Sequence, residues 1–153
     1  MSADAKLQQY AAELPPPAKP AGVYKPVVVI EKLVYTSGHG PLCADGSWMM
    51  GRVGVEVDQA AGYRAARQTA LSILSSVKEH LGSLDRIKRV VKTLGMVNAA
   101  PNFENHPAVI NGCSELFREI WGEENGVGAR SAVGMGSLPN NISTEIEVIF
   151  ELT

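Results

Sequence analysis

The clearest pattern along the chain is helical. Between Val57 and Leu81, Tyr63, Ala66, Ala70, Ile73, Leu74, Val77 and Leu81 recur at steps of three and four, while Arg64, Arg67, Ser75, Lys78 and Glu79 take the other side. Asp58 near the start and Gly82 just past the end supply a cap and a stop. A second amphipathic stretch opens at Pro107, with Val109, Ile110, Cys113, Leu116, Phe117, Ile120 and Trp121 on one face. Gly122 is expected to end it, and Glu123 to Gly128 to form a loop. Period-two patterns mark the strands. Ser143 to Leu152 alternates Ile146, Val148, Phe150 and Leu152 against Glu145, Glu147, Ile149 and Glu151. Ile87 to Val97 alternates in part, and Arg130 to Met135 reads as a further strand before a turn at Leu138 to Asn141. The run Val27 to Ile30, then Glu31-Lys32, then Leu33 to Gly38 reads as two strands around a charged turn. Because Val27 to Ile30 is continuously apolar, it is expected to be buried on both faces.

The resulting order is β-β-α-β-α-β-β, with Pro41 to Gly54 as a loop or hairpin around Asp45-Gly46. Two amphipathic helices pack most simply on one face of a single sheet, which predicts an α+β two-layer sandwich. The opposite face then needs a cover, and an oligomer is expected to provide it. Ahead of the sheet, a helix-compatible stretch at Lys6 to Leu14 runs into Pro15-Pro16-Pro17 and Pro20, which cannot continue a helix. This divides the chain into an N-terminal arm, residues 1–20, and one domain, residues 21–153.

Composition narrows the function classes. The 153 residues are ordinary for one domain. Fourteen Lys and Arg against 16 Asp and Glu leave a net charge of −2, so no basic reservoir for nucleic acid is expected. No apolar run approaches the ~18 residues of a membrane span. The first residues have neither an apolar leader nor Arg-rich transit character, so the cytoplasm is the expected compartment. Cys43 and Cys113 lie far apart and suggest neither a disulfide framework nor paired zinc ligands. His39, His80 and His106 lack ligand spacing, so no metal and no cofactor is expected. His80 reads as a helix-end residue, His106 as a helix-entry residue and Cys113 as core. The glycine clusters around 126–136 lack the pattern of a dinucleotide site, and Ser37 and Ser137 lack that of a nucleophile elbow.

Arg130 carries more information. A hairpin centred near Pro139-Asn140 would pair position 130 with about 149, leaving Arg130 and Glu145 offset by roughly 13 Å at ~3.3 Å per residue. A direct ion pair within that hairpin is then out of reach. Arg130 must find its anion in solvent, in a neighbouring subunit or in a ligand, and a guanidinium at a strand edge beside glycines suits a small organic acid.

The segment GARSAVGMGSLPNNISTEIEVIFEL resembles the C-terminal signature of the YjgF/RidA family of reactive-intermediate (imine) deaminases, also described as endoribonuclease L-PSP-like. GVYKPVVVIEKLVYTSGHGPL resembles the family's Gly-x-Tyr region and Ser-Gly-Gln element, and VINGCSELF its Asn-bearing helix. The likeness covers about residues 21–153 and is to a longer subgroup. It implies a chorismate-mutase-like fold, a mixed sheet and a homotrimer with clefts between subunits. It further implies hydrolytic deamination of small enamines or imines such as 2-aminoacrylate to 2-keto acids and ammonia. Carried over by position, Arg130 would bind the substrate carboxylate, Glu145 would direct water, and Tyr24, Ser37, His39 and Asn111 would contact substrate. The family's Cys two residues after the Arg is Ala132 here, and its Gln is His39. Read as residues alone, Tyr24 is equally a packed aromatic, Ser37 a turn residue, His39 an isosteric loop substitute, Asn111 an exposed helix position and Glu145 a solvated carboxylate. Two other functions stay open, a non-catalytic trimer that binds a small carboxylate and an endoribonuclease. No membrane or nucleic-acid partner is expected.

Overall fold

The computed structural model describes residues 1–153. Eight principal elements follow in order: α1 (Ala3–Leu7), β1 (Val27–Ile30), β2 (Leu33–Thr36), α2 (Gln59–Leu81), β3 (Ile87–Asn98), α3 (His106–Gly126), β4 (Ala129–Met135) and β5 (Thr144–Leu152). The α+β order and the mixed sheet match the expectation. The strands lie side by side as β1-β2-β5-β3-β4, with β3–β4 parallel and every other pair antiparallel.

Helix α2 begins where Asp58 Oδ1 accepts the Ala61 amide at 2.8 Å and ends at Gly82, whose φ of 83° only glycine adopts without strain. Asp58→Ala leaves that amide unpaired and is expected to lower stability by about 1 kcal/mol in a denaturant titration. Ile73, Leu74, Val77, Val109, Ile110, Leu116 and Phe117 from the two long helices meet Val34, Val97, Ile146, Val148 and Phe150 from the sheet in one buried core. The helices cross closely because Gly112 faces Tyr63 O and Arg67 N of α2 with no side chain between them.

Four expectations are corrected. Val28, Val29 and Ile30 are exposed, because β1 is the sheet's edge and only Val27 reaches the core. A continuous apolar run reads alike for a central strand and for an edge awaiting a partner. Strands β4 and β5 form no hairpin, since β3 lies between them, pairing Thr93 with Arg130 on one side and with Val148 on the other. The twelve-residue β3 offers the longest alternating strand and takes the centre with β5. Third, Gly122 does not finish α3. It breaks the helix at φ 81° and ψ 175°, and a further turn runs to Gly126. Fourth, the expected Lys6–Leu14 helix lies earlier, as α1 followed by a tight turn at Gln8–Tyr10, because Ala3 and Leu7 are the arm residues that enter the core. The arm is strapped down: Lys6 Nζ donates to Ile120 O, Tyr10 donates to Glu119, and Ser75 donates to Pro15 O.

The sheet face away from the helices is uncovered. Val28, Tyr35 and Ile149 lie across it from β1 to β5, and Leu94, Met96 and Val133 continue it over β3 and β4. Lys92, Glu145 and Glu147 stand among them on the same face, so it is apolar with charged residues interspersed.

Candidate functional site

Arg130 enters β4 at the sheet's far edge and turns toward α3. Its Nη1 donates to Asn111 Oδ1 at 2.8 Å and to Ser114 Oγ at 3.1 Å. Residues 111 and 114 are one helical turn apart and so share a face, which is why α3 presents both to the guanidinium. No carboxylate lies within ion-pair distance of Arg130. The rest of the guanidinium faces a recess of about 300 Å³ that is lined also by Thr93, Glu115 and Arg118. The absence of an Arg130–Glu145 pair agrees with the sequence expectation, although its cause is the intervening β3.

Glu145 belongs to a second recess, of about 170 Å³, bordered by Tyr24, Gly38, His39, Gly40, Trp48 and Ile142 among others. Its carboxylate lies over Gly38, where any Cβ would overlap Oε1. Burial, followed by the like charge of Glu147, raises its pKa above the ordinary carboxylate value. A carboxyl with a raised folded pKa holds its proton more tightly in the folded chain than in the unfolded one. Stability from this group is therefore intact below the unfolded pKa of about 4.3 and falls as pH rises through the raised one. Glu145→Gln removes the penalty, so it should raise the melting temperature at pH 7 and have no such effect at pH 3.5. The same gain at both pH values would contradict this.

Tyr24 is half-exposed, and its hydroxyl accepts the Ala21 amide. Ser37 precedes the lining residue Gly38 but does not itself line this recess, and its Oγ donates to Lys25 O at 2.6 Å. The His39 side chain is buried and points away from solvent. Its Nδ1 must donate to the Ser37 carbonyl at 2.7 Å, which leaves Nε2 to accept from Ser76 Oγ at 3.0 Å. Burial lowers its pKa, consistent with that neutral tautomer. Ser76 Oγ in turn accepts the Ala18 amide, so His39 ties the arm to the loop beneath Glu145. His39 presents its backbone to the recess, and that backbone also exchanges two hydrogen bonds with Ile146. Cys113 is fully buried, with its thiol pKa pushed up by that burial. Nowhere do three His, Cys, Asp or Glu side chains converge in a metal-holding cluster.

Five of the six candidates thus fall into two groups, Arg130 with Asn111, and Glu145 with Tyr24 and His39, while Ser37 lines neither recess. Arg130 and Glu145 are two strands and three register positions apart, about 14 Å between backbones at ~4.8 Å per strand and ~3.3 Å per residue. Three contributors escaped sequence reasoning. Ser114 could have been found from its i+3 relation to Asn111. Gly38 and Trp48 owe their places to tertiary contacts.

Fold and site together define a two-layer α+β protein with small polar recesses bordered by an unpaired arginine and a desolvated carboxyl. The family model described as "YjgF/chorismate mutase-like, putative endoribonuclease" matches residues 4–151, and the chain belongs to this family. "Protein TCP17" of Trypanosoma cruzi is 38% identical over 148 residues, covering 97% of this chain and 92% of that protein. A protein of unknown function from Agrobacterium tumefaciens is 39% identical with a TM-score of 0.87, over 98% of this chain and 91% of that one. A Shewanella oneidensis MR-1 protein that carries the same endoribonuclease description is 28% identical with a TM-score of 0.92, over 99% and 100%. No helix is long and apolar enough to cross a membrane.

Proposed function

We propose that the protein hydrolyses small enamine and imine intermediates to 2-keto acids and ammonia, in clefts shared between copies of the chain in a homotrimer. The observation that carries this reading is Arg130, held by Asn111 and Ser114, without an internal anion and open to a recess. A buried-side guanidinium with free donors is a receptor for a planar carboxylate. Glu145 and Arg130 are too far apart in one chain to share a small substrate. The uncovered sheet face, apolar but carrying Lys92, Glu145 and Glu147, offers a surface that brings a second copy's recess alongside, and a closed ring of identical subunits covers that face without leaving an edge.

The chemistry needs little beyond position. An enamine protonated at its β-carbon becomes an iminium whose C2 is electrophilic. Water forms the new C2–O bond as Glu145 takes one of its protons, Glu145 passes that proton to the amine nitrogen, and the C2–N bond breaks as the carboxylate takes the remaining hydroxyl proton, releasing ammonia and leaving a keto group. A carboxyl with a raised pKa suits both the taking and the giving of that proton, and the orientation supplied by Arg130 makes the addition effectively unimolecular.

The test is a dehydratase that releases 2-aminoacrylate, with keto-acid formation followed in the presence and absence of the protein. Acceleration that scales with protein concentration is expected, and none across several amino-acid imines would reject the reading. The relatives' endoribonuclease description prompts a parallel incubation with single-stranded RNA. At net charge −2 there is no basic footprint for it, and intact RNA is the expected result.

A further inference from the structure

Trp48 is 45% exposed, yet it sits on a firmly built hairpin. The Cys43 amide donates to Ser47 O at 2.8 Å, Asp45 Oδ1 accepts both the amide and the hydroxyl of Ser47, and Leu42 bridges Trp48. The following residue is pinned on both sides, Met49 N donating to Pro41 O and Ser143 N donating to Met49 O. The indole is therefore placed in advance. It lies with Ile142 against Gly40, where an added Cβ would come within 2.8 Å of Ile142 Cδ1 and 3.0 Å of Trp48 Cζ3. The backbone that carries Ile142 is equally fixed. Asn98 Nδ2 donates to Asn141 Oδ1 and to Ile142 O, and Arg52 Nε donates to Asn98 Oδ1.

The recess thus has a polar end, Glu145 over Gly38, and an apolar end, Trp48 and Ile142. Its volume of about 170 Å³ far exceeds a methyl group. A dry apolar cavity of about 150 Å³ takes up benzene. Resting on the deaminase reading above, we propose that this recess is the side-chain subsite and that Trp48 makes it select imines derived from bulky apolar or aromatic amino acids. A large apolar side chain there removes the half-exposed indole from water and packs on the already buried Ile142, whereas a methyl group leaves the indole wet. The alternative is a side chain ending in an anion, because Lys19 also lines the recess.

Two measurements on the full chain decide the matter. Calorimetric titration with phenylpyruvate, 4-methyl-2-oxopentanoate, pyruvate and 2-oxoglutarate reads the subsite without turnover. An amino-acid oxidase supplying imines of phenylalanine, leucine and alanine reads turnover. The two bulky apolar keto acids are expected to bind about tenfold tighter than pyruvate, with Trp48→Ala shrinking that preference to within about twofold and Trp48→Phe keeping most of it. Equal affinities, no binding of any keto acid, tightest binding of 2-oxoglutarate, or a preference that survives Trp48→Ala would each overturn the subsite. Deamination without side-chain preference overturns the subsite alone. A Trp48-dependent binding preference without deamination of any imine upholds the subsite and rejects the deaminase reading.

Discussion

Arg130→Ala is expected to abolish most of the acceleration of imine hydrolysis, lowering kcat/KM by about 10²–10⁴-fold. The magnitude follows from losing a paired, charge-assisted contact, since each hydrogen bond to a charged group contributes about 1.5–3 kcal/mol and about 1.4 kcal/mol is tenfold in rate. The same change should hardly alter the fold. Arg130 has no ion-pair partner, and Asn111 and Ser114, its two acceptors, lie at a recess where water replaces the lost donor. A melting temperature within a few degrees of the parent is expected, together with the loss of keto-acid binding in the calorimeter. Arg130→Lys keeps the charge but not the two-pronged donor, so an intermediate loss is expected. Wild-type rates in the alanine variant would remove Arg130 from the mechanism.

Gly112→Ala should be the most destabilising small substitution in the chain. Its Cβ would overlap the Tyr63 carbonyl oxygen and stand 3.0 Å from the Arg67 amide nitrogen, and both are backbone atoms of a neighbouring helix that cannot swing aside. Alanine contributes about 1 kcal/mol of helix propensity over glycine. Against that, forcing α2 and α3 apart loosens the contact of Val109 with Gly62, which depends on the same close approach. Overpacking commonly costs 1–3 kcal/mol and sometimes more. A net loss of about 2 kcal/mol is expected, which at about 2–4 °C per kcal/mol lowers the melting temperature by about 4–8 °C. A variant as stable as the parent would show that the helices part without cost.

The elements were legible where one local period dominates. Helices α2 and α3 announce themselves because their buried residues repeat every three to four positions, and β5 because Ile146, Val148, Phe150 and Leu152 alternate over nine residues. Strand β1 was misread because Val27 to Ile30 has no period, and burial on both faces depends on neighbours that the run itself does not name. The supposed β4–β5 hairpin failed for a similar reason. The turn at Leu138 to Asn141 carries ordinary hairpin chemistry, and nothing in it reports that β3 occupies the place between. In the site, the separation of Arg130 from Glu145 agrees with the expectation but not with its reason, since the hairpin register behind it does not exist and β3 is what stands between them. The state of His39 was not legible: its neutral, doubly hydrogen-bonded form follows from Ser76, 37 residues away.

By itself, then, the sequence determined the α+β class and the two helix faces, because both are short-range properties of periodicity. Only the tertiary structure decided that Arg130 and Glu145 border separate recesses, that Gly38 makes room for the Glu145 carboxyl, and that a rigid hairpin sets Trp48 against Gly40 and Ile142. These are consequences of long-range packing. Strand order and close approach of distant backbone set them, and no local pattern of hydrophobic and polar residues encodes either one.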